Sequence, residues 1–412
     1  AYEIGSGLVG SEMCIRDRST AVSAYATCGQ DYETTNSNAQ NYTKWSTPIE
    51  SYLTETTDGK LMRVQKSDDN TGILVEYYTK DYKLQESRII DDELPIFGGF
   101  YATDENYYIL SGQNNSEKDD TVEVLRLTKY DKDWNRIASA SEYGANTKKP
   151  FDAGSARMTH DGKYLFIRTC HLMYSGHQAN YTIQVDTEQM KVTSAFSGVY
   201  DSTYGYISHS FNQFVVNDGS HVYFLDHGDA YYRGLILSSF SAYSGGYIAQ
   251  DRAVNIFPFM GATGDNYTGC EVTGFSLAGN NLITVGKSVP HGLAVNGQTG
   301  YENLNKNIFM IITDKNSMTS RFIWLTQYSP SGAEITLTEP KLIPVGNNQY
   351  AVLFSEETSN QSVLHYLLMD MSGNVKLSKL YKNVTIQTDS QPILWGCLLY
   401  TSPSPRDRSL SR

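Results

Sequence analysis

Histidine side chains are concentrated in a few short segments of this chain, and those segments carry the residues best suited to chemistry. Imidazole titrates near neutral pH, binds metal ions, and both donates and accepts hydrogen bonds. A shared group of histidines therefore predicts a ligand, metal or acid–base site. Five of the 8 histidines belong to this group, accompanied by arginine, asparagine and aspartate. The predicted ligand-binding residues are Arg168, His171, His177, His209, Asn212, His227, Asp229, Arg233 and His291.

Metal binding is not predicted for these histidines, and no cofactor is expected. The sequence has no H-x-H or H-E-x-x-H spacing that would form a metal site. Residues 131–135 alternate oxygen-bearing side chains as calcium loops do. They lack the glycine and the distant glutamate of the full loop, so they predict an ordinary turn. Tyrosines that suit stacking on sugar rings or aromatic ligands lie in the histidine segments: Tyr174, Tyr204, Tyr206, Tyr231 and Tyr232.

A recurring hairpin organises these segments. Six stretches read as a strand, a tight turn and a second strand, and their turns follow one another at intervals of 46 to 67 residues. Asp-Gly and Gly-Asn pairs supply the positive φ that two-residue hairpin turns require. WD-type repeats are about 40–45 residues long, so the longer interval does not indicate that family. The turns begin at Asp58, Asp104, Asp161, Asp218, Gly279 and Gly346.

Each hairpin is followed by a second hairpin with a strongly apolar first strand, as in residues 73–78 and 308–312. Together they make a four-stranded antiparallel sheet, and such sheets bury both faces when they stack radially. The repeats therefore predict an all-β fold, a β-propeller with six complete four-stranded blades over residues 45–395. A double β-sandwich is the alternative, although sandwiches do not repeat at a regular interval. Residues 388–395 resemble the start of the sixth unit, so we expect the chain to be cut as a further blade begins.

In such a blade, the loop before the inner strand and the loop between the second and third strands emerge on one face. The sequence places four histidines in the loop between the second and third strands. His171 and His177 lie in this loop of unit three, His227 in unit four and His291 in unit five. His209 precedes the inner strand of unit four. We therefore expect these five histidines to share one face of three neighbouring units.

The composition favours strands and excludes several kinds of partner. The chain contains Tyr 31 and Gly 33, which favour strands and tight turns. Its formal net charge of −12 argues against a nucleic-acid or anionic-membrane partner, because both require a basic surface. No apolar run approaches the length that spans a bilayer. We expect Cys170 and Cys270 to be free buried thiols and not a disulfide.

Both termini are expected to derive from DNA-library preparation. One choice of codons lets residues 8–17 and 397–407 be encoded by complementary strands of a single oligonucleotide, which resembles a sequencing adapter. Residues 1–18 and 396–412 are therefore expected to be translated adapter in an assembled metagenome read. Residues 19–44 predict a signal-peptide remnant, marked by the A-x-A pattern at Ala24 and Ala26, and then a disordered leader. We expect a secreted protein, or one attached to the cell surface through a missing C-terminal region.

The repeat pattern resembles that of secreted or surface β-propellers of bacteria, most of which have no assigned role. The resemblance implies an extracytoplasmic module that binds a glycan, peptide or small molecule on the histidine-bearing face, and favours a binding protein over an enzyme. The alternative is a similarity to bacterial arylsulfotransferases, propellers with a histidine nucleophile at the channel mouth. That alternative implies a transferase with His209 as the nucleophile. The cations that would hold the sulfate are Arg168, His171, His227 and Arg233.

Overall fold

The computed structural model describes residues 49–400, apart from short gaps. The gaps are residues 50, 68–70, 81–82, 155, 199, 203–204, 208–209, 231–232, 243–247, 296, 298–299, 301–302, 333, 347, 360, 385, 387–389 and 396–397. The predictions for residues 1–44 and 401–412 therefore lie outside the described residues. The same holds for the side-chain predictions for Tyr204, Tyr206, His209, Tyr231 and Tyr232.

Six antiparallel sheets, called blades here, account for most of the described chain. Blade 1 contains β1 (Ser51–Glu55), β2 (Leu61–Lys66), β3 (Ile73–Tyr78) and β4 (Leu84–Ile90). Blade 2 contains β5 (Ile96–Ala102), β6 (Tyr107–Gly112), β7 (Glu123–Tyr130) and β8 (Arg136–Tyr143). Blade 3 contains the short β9 (Thr147–Lys149), then β10 (Arg157–His160), β11 (Tyr164–Met173), β12 (Gln178–Asp186) and β13 (Lys191–Phe196).

A small hairpin precedes the fourth blade and another follows the sixth. The first consists of β14 (Tyr200–Ser202) and β15 (Gly205–Ile207). Blade 4 contains β16 (Gln213–Asn217), β17 (His221–Gly228), β18 (Gly234–Ala242) and β19 (Ile248–Pro258). Blade 5 contains β20 (Cys270–Ala278), β21 (Asn281–Ser288), β22 (Asn307–Asp314) and β23 (Ser320–Trp324). Blade 6 contains β24 (Thr336–Leu337), β25 (Lys341–Gly346), β26 (Gln349–Glu357), β27 (Ser362–Asp370) and β28 (Val375–Lys382). The last hairpin consists of β29 (Ile393–Trp395) and β30 (Leu398–Tyr400).

The order of the strands confirms the predicted all-β propeller with six four-stranded blades. Every blade is an up-and-down meander in which consecutive strands pair antiparallel, for example β16-β17-β18-β19. Blades 3 and 6 each carry one additional short strand: β9 pairs with β11, and β24 pairs with β26 beyond the end of β25. A sandwich would join strands by Greek-key connections between two sheets, so this topology excludes the double β-sandwich.

The predicted Asp-Gly turns close the first hairpin of their blades. Asp161 Oδ1 accepts hydrogen bonds from the backbone N–H groups of Lys163 and Tyr164, at 2.9 and 2.7 Å. Gly162 has a φ of 103° and Gly219 a φ of 84°. Side chains strongly disfavour these angles, which explains why glycine stands at these turns.

An aspartate also closes the turn between the third and fourth strands of several blades. Asp131 Oδ1 accepts hydrogen bonds from the backbone N–H groups of Asp133 and Asn135, at 2.9 and 2.8 Å. Asp370 holds Asn374 in the same way, with a hydrogen bond of 2.9 Å. Residues 131–135 therefore form an ordinary turn, as predicted, because the carboxylate is occupied by the backbone.

The chain divides into two compact units, of which the first contains blades 1 and 6 and the last hairpin. Within this unit, Ser51 and Ser390 form an isolated parallel bridge. Ile393 packs against the cluster around Leu61 and Tyr78 of blade 1. The segment that the sequence relates to the start of another blade thus lies against blade 1.

The second unit contains blades 2 to 5, and blade 3 buries both faces against its neighbours in that unit. In β11, Leu165 and Ile167 pack with Leu125 of blade 2, whereas Phe166 packs with Phe224 of blade 4. Successive side chains of a strand point to opposite faces, so the two faces of this sheet serve two interfaces. Within the described chain, no helix has the length and hydropathy of a membrane span.

Candidate functional site

The connections that carry the predicted site residues emerge at one end of blades 2 to 5, which we call the loop end. In an up-and-down sheet, the connection between the second and third strands and the connection to the next blade leave from the same end. In this unit, the connections between the second and third strands are residues 113–122, 174–177, 229–233 and 289–306. The connection between blades 4 and 5 is 259–269. The loop end is therefore the part of the unit in which a site would form.

His171 was predicted in a loop, but the structure places it inside β11, where it is buried. Its Nδ1 atom lies 2.7 Å from the hydroxyl of Thr147, and its ring is 4.9 Å from that of Tyr181. Burial lowers the pKa of His171 to about 4. The loop prediction was wrong because β11 continues to Met173, and the imidazole is neutral at physiological pH.

His227 likewise lies inside β17 and not in the following loop. It is fully buried between the rings of Phe211 and Phe259, and its Nε2 atom lies 2.8 Å from the hydroxyl of Thr268. Its Nδ1 atom has no hydrogen-bond partner among the described residues. Burial lowers the pKa of His227 to about 3, because a protonated ring would be a charge in an apolar setting.

Arg168 is part of a buried polar network between blades 3 and 4. Its guanidinium donates hydrogen bonds to both carboxylate oxygens of Asp226, and its Nη1 atom donates to the hydroxyl of Thr182. Ser210 donates its hydroxyl to Asp226 at 3.0 Å and its backbone N–H to Asn180 at 3.0 Å. The positive charge of Arg168 is thus paired with a buried carboxylate.

Arg233 is bonded to backbone carbonyl groups of two connections. Its guanidinium donates hydrogen bonds to the carbonyl oxygens of Asp229, Met260, Asp265 and Tyr267. Burial lowers the pKa of Arg233 from its ordinary value. The Asp229 side chain is buried beside it. Both residues therefore organise the connections of the loop end.

Asn212 joins the innermost strands of three blades. Its Nδ2 atom donates to the carbonyl oxygen of Val272 in blade 5 at 2.8 Å. Its Oδ1 atom accepts a hydrogen bond of 3.2 Å from Arg157 in blade 3. Asn212 is itself buried at the start of blade 4, so it fixes the spacing of β10, β16 and β20.

Two of the predicted residues are exposed at the loop end, His177 and His291. His291 packs against Phe257, with a ring-centroid distance of 5.4 Å. The structure therefore keeps the eight described residues of this prediction within blades 3 to 5 and their connections, but it buries six of them in structural contacts and exposes two. His209 lies outside the described residues.

Sequence reasoning missed the apolar side chains that this end presents to solvent. Tyr143 and Phe196 end the outer strands of blades 2 and 3, and Met260 and Leu293 lie in the connections of blades 4 and 5. Tyr143 is 58% exposed and Met260 50% exposed. Met260 and Leu293 could have been identified from the sequence. Both are large apolar residues in segments that contain glycine, residues 257–264 and 289–297.

Tyr174, predicted to stack on a ligand, joins two connections. Its hydroxyl donates a hydrogen bond of 3.0 Å to Asp120 and accepts one of 3.1 Å from Asn115, both in the connection of blade 2. Among the described residues, no group of three His, Cys, Asp or Glu side chains is placed to hold a metal ion. Among the described residues, the loop end therefore has buried polar side chains that hold its connections, and apolar and imidazole side chains that are exposed above them.

Comparisons with known proteins do not assign the chain to a family. No protein-family model matches the chain, and neither does any curated protein. The chain is similar to a lignostilbene dioxygenase of Pseudomonas brassicacearum, with 11% identity and a TM-score of 0.44 over 84% of this chain and 74% of that one. It is similar to a GH74 xyloglucanase of Xanthomonas campestris, with 11% identity and a TM-score of 0.44 over 87% of this chain and 50% of that one. Similarity at this level carries no argument about function.

Proposed function

We propose that this protein is a ligand-binding β-propeller that holds a glycan on the loop end of blades 2 to 5. The observation that carries the proposal is the contrast between the two layers of this end. Buried polar side chains hold the connections in place, and the exposed layer presents Tyr143, Phe196 and His177. Exposed aromatic rings on a fixed framework suit the apolar face of a sugar ring, because little conformational freedom is lost on binding.

The outer strands of blades 2 and 3 provide one part of this surface. β8 and β13 contact each other, and Tyr143 and Phe196 stand at their loop-end termini. The connection of blade 3 contacts the segment that follows β8, because the Tyr174 backbone N–H donates to the carbonyl oxygen of Asn146 at 3.2 Å. The same connection exposes His177, and Tyr174 is fixed by Asp120. An imidazole both donates and accepts hydrogen bonds, so it complements a sugar hydroxyl.

The arylsulfotransferase alternative receives no support from the described residues. Sulfate transfer needs available cations around the transferred group. Arg168 is paired with Asp226, and Arg233 donates hydrogen bonds to four backbone carbonyl groups. His171 and His227 are buried and neutral. Release of a phenol from an aryl sulfate, lost in His209→Ala, would restore this alternative.

We further propose that the protein acts outside the cytoplasm. The support is the A-x-A pattern at Ala24 and Ala26, which is typical of signal-peptide cleavage sites. A glycan ligand fits this location. Fractionation of a host that expresses the gene with its own leader tests this proposal, and a protein retained in the cytoplasm would contradict it.

Binding of neutral oligosaccharides tests the proposed function. We expect at least one member of a panel of cellohexaose, xylohexaose, mannohexaose and maltohexaose to raise the melting temperature and to bind in calorimetry. Tyr143→Ser should weaken that binding by about 1 kcal/mol, the range of a ring contact. Ile137→Ser is the matched control, because Ile137 is 52% exposed at the opposite end of the same strand. Equal losses in both variants, or no binding to the panel, would contradict the proposal.

A further inference from the structure

Three connections meet at the loop end of blades 4 and 5. They are residues 229–233, between β17 and β18 of blade 4, residues 259–269, between blades 4 and 5, and the long connection 289–306 of blade 5. The backbone N–H of Gly264 donates to the carbonyl oxygen of Asp229 at 2.9 Å. The Asp265 carboxylate accepts a hydrogen bond of 2.9 Å from the backbone N–H of Gly297. The first and second connections are therefore joined, as are the second and third.

Arg233 stands at the centre of this junction. Its Nε atom donates to the Met260 carbonyl at 3.2 Å, and its Nη2 atom donates to that of Tyr267 at 3.0 Å. Its Nη1 atom donates to the carbonyl oxygens of Asp229 and Asp265. A guanidinium presents five donors in a rigid plane, so one side chain fixes both connections of blade 4.

The third connection is packed against this pair. Val295 is buried, and its carbonyl oxygen would lie 2.7 Å from a Cβ atom at position 261, where glycine has a φ of 111°. His291 packs on Phe257, which ends blade 4. The large exposed side chains of these connections include Met260, His291 and Leu293, and the smaller Ala262, Thr263 and Ala294 are exposed beside them.

We propose that Met260, His291 and Leu293 form a sugar-binding subsite and that Arg233 is its positioning residue. This inference rests on the proposed function and adds to it a second contact surface, in the connections of blades 4 and 5. The carboxylate of Asp265 and the guanidinium of Arg233 are both occupied by backbone groups. The subsite therefore offers apolar surface and one imidazole, which fits an uncharged pyranose ring. Arg233 does not touch the ligand; it holds the connections that present the three side chains.

Hydrogen exchange and calorimetry on the full chain separate the two roles. In Arg233→Met, we expect exchange of peptides from 259–269 to rise about tenfold, because the anchor of this connection is removed. Exchange of 289–300 should rise with it, because Gly297 is held by Asp265 of the same connection. We expect binding of the hexasaccharide found in the panel to weaken about tenfold, because the subsite is no longer organised in advance. Arg233→Lys should show both effects, since one ammonium cannot reach all four carbonyl groups.

Arg252→Met is the matched control. Arg252 belongs to β19 and donates to the backbone carbonyl groups of Lys315 and Asn316, at the opposite end of the same blades. This variant should leave both the exchange of 259–269 and the binding unchanged. Met260→Ala and His291→Ala should weaken binding severalfold without raising exchange.

The outcomes distinguish this inference from the proposed function. Unchanged exchange in both Arg233 variants would overturn the positioning role, as would wild-type affinity in Arg233→Lys. Wild-type affinity in both Met260→Ala and His291→Ala would overturn the subsite even if Tyr143→Ser loses binding. If the wild-type protein binds no member of the panel, the proposed function fails and the subsite fails with it.

Discussion

The Arg168 guanidinium donates two hydrogen bonds to the Asp226 carboxylate, from blade 3 to blade 4, at 3.3 Å from Nε to Oδ1 and 2.6 Å from Nη2 to Oδ2. Both side chains are buried. The two residues are 58 positions apart in the chain, so this pair links consecutive repeats. Its charge is balanced within the protein, which distinguishes Arg168 from an arginine that awaits an anionic ligand.

Removing one member of this pair should be costly. Arg168→Met leaves the Asp226 carboxylate buried without its cation, so we expect the free energy of unfolding to fall by about 3–5 kcal/mol. Adding Asp226→Leu should recover part of this loss, because an apolar pair of similar volume removes the buried charge. Urea unfolding measures both variants.

The exposed pair of Arg88 and Glu86 provides the control. Arg88→Met should leave the free energy of unfolding nearly unchanged, because water screens an exposed pair. A neutral effect of Arg168→Met would show that the pair does not hold blades 3 and 4 together.

The buried imidazoles predict a loss of stability in mild acid. The folded-state pKa values of His171 and His227 are about 4 and about 3, below the ordinary value of about 6.5. Between pH 6.5 and the folded-state pKa of each ring, the unfolded chain therefore binds more protons than the folded chain. The stabilising contribution is complete above pH 6.5 and is lost as pH falls towards 4 for His171 and towards 3 for His227.

The slope of stability against pH measures this effect. Each histidine should contribute up to about 1.4 kcal/mol per pH unit inside its window. We expect the slope between pH 6 and pH 4.5 to be smaller in His171→Gln with His227→Gln than in the wild type. Ile137→Gln, a change at an exposed residue that does not titrate, should keep the wild-type slope. Identical slopes in all three proteins would show that the two buried rings do not titrate on unfolding.

The turn chemistry of the fold could be predicted from the sequence because it is local. Asp161-Gly162 and Asp218-Gly219 carry within two residues both the carboxylate that caps the turn and the backbone angle that the turn requires. Together with the apolar strands between the turns, these signals define the strand order of each blade. The six four-stranded sheets follow from them.

The burial of the site residues could not be predicted, because it depends on contacts distant in sequence. Thr268 faces His227 from 41 positions away, and Asp226 faces Arg168 from 58 positions away. The end of a strand is also weakly marked when polar residues continue it. His171 and His227 were therefore placed in loops, whereas β11 and β17 extend past them.

The two described cysteines should be unreactive in the folded protein. Cys170 and Cys270 are free and buried, as predicted. Burial raises the pKa of both thiols, and the thiolate is the reactive form. We expect iodoacetamide at pH 8 to modify neither residue in the native state and both in urea, as measured by peptide mass spectrometry.

An introduced thiol calibrates this experiment. Ser175→Cys places a thiol on the exposed connection of blade 3 and should be modified rapidly in the native protein. Native-state modification of Cys170 at the rate of that exposed thiol would contradict the packing between blades 3 and 4.

The footprint of the bound glycan tests the central claim most directly. Hydrogen exchange of the full chain, with and without the hexasaccharide that most raises the melting temperature, locates the binding surface. We predict protection of peptides from residues 174–177, 259–269 and 289–300 at the loop end. Protection confined to the opposite end, at residues 131–135 and 315–319, or no protection under saturating ligand, would contradict the account.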